Sequence, residues 1–125
     1  MNHSSLTLAF IGDAVFELEI RKYFVASGIS KVNALQTKTS KFASASAHKQ
    51  IMDYLLENNI LTEDEVTVYK RGRNTKVNQR RKNFNAQNYH ASTGFESLIG
   101  YLYLNEEYNR VDELILIIIN EFENK

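Results

Sequence analysis

Apolar residues in this chain recur mostly with the three-to-four-residue spacing of helices, and no stretch shows the alternation of a half-buried strand. The first periodic segment carries two stripes. Leu8, Ile11, Val15 and Leu18 form one, while Leu6, Phe10, Ile20 and Phe24 form a second into which Asp13 and Glu17 are set. A helix apolar on two faces sits at the centre of its fold. "SGIS" breaks it at Gly28, a short helix around Val32 to Thr37 follows, and a longer one is predicted from about Ser40 to Glu57. In "LTEDEV", Thr62 caps the next helix, Glu65 holds the capping-box position, and Leu61 with Val66 supplies the hydrophobic staple. That helix should run to about Arg71. From Gly72 to Tyr89 the periodicity dissolves into a long loop rich in Asn and bases, the kind of segment that in a compact domain is usually functional or disordered. Helical order returns at Ser92, with Phe95, Leu98, Ile99 and Leu102 on one stripe and Thr93, Glu96, Gly100 and Tyr103 on its neighbour. The last helix starts near Asn109 and turns Val111, Leu114, Ile115, Ile118, Ile119 and Phe122 to the core. The pattern predicts an all-α bundle of about six or seven helices, one domain over residues 1–125.

Composition narrows the class. Hydrophobic residues make up 43% and charged residues 24%, ordinary values for a globular chain. The absence of cysteine excludes disulfides and thiolate metal sites and suits a cytoplasmic protein. The opening "MNHSSLTLAF" does not have the form of a signal peptide, and "LILIII" is too short to span a bilayer, so no membrane role is expected. Net charge is zero, but the signs are segregated. No acid falls between Glu19 and Asp53 or between Glu65 and Glu96, and the second interval holds Lys70, Arg71, Arg73, Lys76, Arg80, Arg81 and Lys82. A polyanion can bind one side of a neutral molecule arranged in this way.

Two helices each place a carboxylate near a glycine. Gly12 precedes Asp13, and Gly100 lies one turn after Glu96. Glycine inside a helix costs roughly 1 kcal/mol relative to alanine, so it is expected where something approaches closely. The two helices are therefore predicted to cross at their glycines and to set Asp13 beside Glu96. Adjacent carboxylates repel unless a proton or cation lies between them, and Mg2+ is often held by one or two carboxylates plus water and a substrate phosphate. A lone acid in an apolar stripe is more often salt-bridged or capping, and Glu17, four residues before Arg21, fits that ordinary pairing. His3, His48 and His90 show no ligand spacing. The basic segment taken alone reads as well as a solvated, mobile surface. A polyanion surface and a paired-acid site in one small domain together point to phosphodiester chemistry.

At these residues the chain resembles a known family. "IGDAVFE" and "FESLIGYLYL" look like the two acidic motifs of the ribonuclease III endonuclease domain. "RGRN" at 71–74 and "STGFESLIGYLYL" from Ser92 resemble the branch that consists of that domain alone, Mini-ribonuclease III. The resemblance runs from about Leu6 to the last helix. It implies the helical bundle of that domain, a homodimer with two active sites, Mg2+-dependent cleavage of double-stranded RNA, and a role in maturing large-subunit (23S) ribosomal RNA. A ribosomal protein that presents the substrate is a further partner to consider. Asp13 and Glu96 fall on the family's metal-site acids and are the expected catalytic and metal-binding residues. Larger members carry two more acids, at positions that here are Ala9 and Thr93, so the metal should be held by fewer protein oxygens and more weakly. Arg71, Arg73, Lys76, Arg80, Arg81 and Lys82 are the expected RNA-binding residues, since A-form duplexes are recognised mainly through phosphates, shape and 2′-hydroxyls. Two other readings stand beside this one: a double-stranded-RNA-binding dimer without catalysis, and a helical interaction protein without RNA.

Overall fold

The computed structural model describes residues 3–76 and 85–123, which form six α-helices. These are α1 (Ser5–Ala26), α2 (Val32–Ser40), α3 (Ala45–Glu57), α4 (Glu63–Arg73), α5 (Ala86–Leu104) and α6 (Tyr108–Phe122). Most begin on a side chain that satisfies an orphan N–H. Ser4 accepts from Thr7 N at 3.1 Å, Ser44 from Ala47 N at 3.0 Å and Asn85 from Asn88 N at 3.0 Å. The capping box of α4 forms in full: Thr62 Oγ1 accepts from Glu65 N at 3.2 Å, and Glu65 Oε1 accepts from Thr62 N at 2.9 Å.

Two helix ends close on left-handed residues other than glycine. Asn59 (φ 53°) lets Ile60 N reach Leu55 O at 3.1 Å, and Glu106 (φ 60°) lets Glu107 N reach Leu102 O at 2.9 Å. Both close the last turn with the six-to-one bond of a Schellman motif.

The last two helices are the hub and its cover. α5 packs on α1, α3, α4 and α6, and its predicted stripe of Phe95, Leu98, Ile99 and Leu102 is fully enclosed. α6 buries Val111, Leu114, Ile115, Ile118 and Ile119, as its periodicity predicts, while Phe122 is partly buried.

Several boundaries differ from the sequence expectation. α5 begins at Ala86, within the stretch read as loop, because Asn85 caps it and its first turn is too polar to register as periodic. α2 and α3 are separated at 41–44, where Phe42 turns inward to 2% exposure and Ser44 starts a new helix. On α1 only part of each stripe is covered: Leu6, Phe10 and Leu18 are 49%, 79% and 55% exposed. Among the described residues no helix is long and apolar enough to cross a membrane.

A partly buried ion pair that periodicity does not reveal ties α4 to α6. Arg110 Nε and Nη2 each donate to Glu65 at 2.8 Å, Nη2 also donates to Ile60 O at 2.8 Å, and Nη1 reaches Glu113 at 2.7 Å. Burial would raise the Glu65 carboxyl, but the Arg110 guanidinium and the Thr62 N–H hold it below its ordinary value. The capping acid thus also clamps two elements together.

Candidate active site

The crossing of α1 and α5 is set by glycine. A Cβ at Gly12 would run into the Glu96 carbonyl and lie 2.8 Å from Gly100 N. One at Gly100 would run into the Leu8 carbonyl and lie 3.1 Å from Gly12 N. The backbones therefore touch, and Ser97, wholly buried, fixes the same contact with its hydroxyl 2.8 Å from both Ser5 O and Thr93 O.

This approach brings Asp13 beside Glu96. Burial pushes the Glu96 carboxyl up to about 8, and the adjacent Asp13 adds to the shift by its charge and by accepting a hydrogen bond. Neither acid has an ion-pair partner among the described residues. Two converging carboxylates with no ion-pair partner among the described residues, one of them retaining its proton, are a donor set suited to a hard divalent ion. No cluster of three or more His, Cys, Asp or Glu that could hold a metal occurs among the described residues, so the pair stands at two. The positions read as missing acids, Ala9 and Thr93, are both buried, and the Thr93 hydroxyl is bonded to Tyr89 O at 3.1 Å.

Asp13 is set into an apolar stripe of a helix expected at the centre of the fold, yet it is solvent-exposed, because that stripe is left open over most of its N-terminal half. It stands at the edge of a cleft of about 320 Å³ floored by Phe16, Ile20 and Phe42. Glu17 lines the same cleft and makes the predicted pair with Arg21 at 2.7 Å.

The bases lie at a second glycine contact. Gly72 on α4 packs against α5, where a Cβ would lie 2.9 Å from Gly94 Cα and 2.6 Å from Ser97 Oγ, on either side of Glu96 in sequence. Arg71 and Arg73 flank Gly72, which brings the end of α4 to the segment of α5 that carries Glu96. Arg71 and Lys76 are exposed, and the Arg73 guanidinium sits 5.6 Å over the Tyr69 ring. Arg80, Arg81 and Lys82 lie outside the described residues.

Sequence reasoning passed over His48 because no second ligand accompanies it. It is 3% exposed, lines the cleft beside Asp13, and lies 2.7 Å through Nδ1 from Ser92 Oγ. Burial pushes its imidazole down to about 4, although the Phe42 backbone and the Asp13 charge both pull it up. A signal was present: His48 opens the stripe completed by Ile51, Met52 and Leu55, so a polar side chain stands at a core position.

Comparison with known proteins identifies the fold and the family. Residues 6–107 match the Ribonuclease III domain. The chain is 43% identical to Mini-ribonuclease 3 of Enterococcus faecalis, over 90% of this chain and 85% of that protein. It is 46% identical to Mini-ribonuclease 3 of Acholeplasma laidlawii, over 90% and 88%. The crystal structure of protein FN1578 from Fusobacterium nucleatum superposes with a TM-score of 0.81 at 31% identity, covering 96% of this chain and 94% of that one. The helical fold and the match over residues 6–107 define the class as a ribonuclease III-type nuclease domain. Within that class the chain belongs to the Mini-ribonuclease 3 family of endoribonucleases.

Proposed function

We propose that this chain is a Mg2+-dependent endoribonuclease that cuts double-stranded RNA as a homodimer in the cytoplasm and matures 23S ribosomal RNA, presented as precursor alone or with a ribosomal protein. The observation that carries this reading is the Asp13–Glu96 pair at the glycine crossing of α1 and α5, the latter being the helix against which the basic end of α4 also packs.

Asp13 and Glu96 would hold the ion. Mg2+ bound there supplies Lewis-acid stabilisation of phosphate charge and a water of lowered pKa. The residues supply the rest. Glu96 gives up its proton when it becomes a ligand, and Asp13, at the cleft mouth, presents its oxygens on the open side where a phosphate can approach. Arg71, Arg73 and Lys76, with Arg80, Arg81 and Lys82, grip backbone phosphates, so affinity falls steeply with salt and carries little sequence preference. Hydrolysis breaks the P–O3′ bond, leaving a 5′-phosphate and a 3′-hydroxyl.

The test is cleavage of a long RNA duplex and of a 23S precursor, with and without Mg2+, by the native chain and by Asp13→Asn and Glu96→Gln. Cutting should vanish in both variants while duplex binding remains. A native protein that binds but never cuts either substrate would overturn the nuclease reading in favour of a binding dimer.

A further inference from the structure

We propose that His48 and Ser92 are positioning residues for the carboxylate pair, an inference that rests on Asp13 and Glu96 being the metal ligands. The His48 ring contacts residues close to each acid on its own helix. On α5 its Nδ1 lies 2.7 Å from the hydroxyl of Ser92, one turn before Glu96 and on the same helical face. On α1 it meets the edge of Phe16, at 5.5 Å and 84°, nearly one turn after Asp13. It also leans on Phe95, adjacent to Glu96, at 5.1 Å, and Phe16 and Phe95 close the triangle at 4.9 Å. His48 thus joins α3 to both acid-bearing helices beneath the site.

The chemistry of this position argues for more than filling. An apolar side chain would occupy the space without the desolvation that burying an imidazole entails. Apolar contact is also non-directional, and leaves helices free to roll by a few degrees. A buried hydrogen bond to Ser92 fixes the azimuth of the α5 turn that carries Glu96, while the edge contact on Phe16 does the same for α1. With only two protein ligands among the described residues, their mutual orientation has no third acid to correct it. Groups behind metal ligands commonly govern affinity in this way, by about 10-fold or more.

The experiment measures Mg2+ binding to the RNA-free protein by calorimetry, together with kcat and KM on a long duplex and thermal stability, for native protein, Ser92→Ala, His48→Leu, His48→Gln and Asp13→Asn. Ser92→Ala and His48→Leu should weaken Mg2+ binding about 10-fold and lower kcat, with KM for the duplex unchanged. His48→Gln should recover most of both, because its amide can still bond the Ser92 hydroxyl. If Ser92→Ala and His48→Leu lower only the melting temperature and leave Mg2+ affinity and kcat at native values, the pair is packing alone and the proposal falls. Should His48→Leu fail to fold, Ser92→Ala decides, since it removes only the hydroxyl. Asp13→Asn separates the two layers: Mg2+ binding that survives it overturns the metal reading itself, whereas its loss there beside native binding in Ser92→Ala overturns only the positioning role.

Discussion

A carboxyl group that keeps its proton up to about pH 8 must release it before a cation can take its place. Mg2+ should therefore raise the melting temperature more at about pH 8.5 than at about pH 6.5, and Glu96→Gln should abolish the difference, as thermal unfolding with and without the ion will show. His48 gives a second pH dependence with its own sign. The folded state holds the imidazole at about 4 against 6.5 in the unfolded chain, so below 6.5 the unfolded state takes up a proton that the folded state refuses. Its contribution is complete above pH 6.5 and declines as pH falls towards 4, by roughly 3 kcal/mol, a slope that His48→Gln should flatten in denaturant titrations. What the sequence reveals at this scale follows from what marks a residue. The meeting of Asp13 and Glu96 was legible because each has a helix glycine nearby, whereas the exposure of Asp13 was not, since an apolar run does not say which of its stripes is covered. His48 was hidden because a single histidine has no partner spacing, and Ser92 lies far from it in sequence.

Helices make the next set of decisions, chiefly through contacts too close for a side chain. At Gly12 and Gly100 an added methyl meets backbone, which cannot rotate aside, so Gly12→Ala and Gly100→Ala should each destabilise by about 3 kcal/mol or more and separate the two acids. Gly28 is the control: nothing lies within 4 Å of its Cβ position, and only its φ of 101° opposes a side chain, so Gly28→Ala should cost about 1–2 kcal/mol and leave cleavage unchanged. Equilibrium unfolding of the three variants tests the contrast, and equal losses would remove the crossing argument. The glycine crossing was readable because carboxylates marked it, but the second contact, Gly72 on Gly94, was not, as Gly72 looked like the start of a loop. The same blindness moved the start of α5. Periodicity registers buried faces, and the first turn of α5, from Ala86 to Tyr89, buries too little to be seen. Capping chemistry did better: Thr62 and Glu65 were legible as a local motif, while the role of Glu65 in holding Arg110 on α6 depends on a residue far along the chain.

For the molecule as a whole, the open surface of α1 is the feature that the chain's own packing leaves unexplained. Leu6 and Phe10 lie one turn apart and are 49% and 79% exposed, on the helix that also carries Asp13. Aromatic and aliphatic side chains grouped on one exposed helical face are what a self-complementary interface uses, and a two-fold contact would cover both copies of the patch at once. The expected dimer would then place two cleavage sites in fixed relation, as cutting both strands of one duplex requires. Phe10→Asp tests this with little risk to the fold, because the side chain it replaces touches mainly solvent in the single chain. Sedimentation equilibrium should find the native protein dimeric at micromolar concentration and Phe10→Asp monomeric; the variant should melt at a lower temperature, and only the native melting temperature should depend on concentration. On a labelled duplex, the variant should nick single strands where the native enzyme cuts both. A native protein that sediments as a monomer would remove the dimer and the paired cut together, whereas a dimer undisturbed by Phe10→Asp would move the interface to another face and leave the site as it stands.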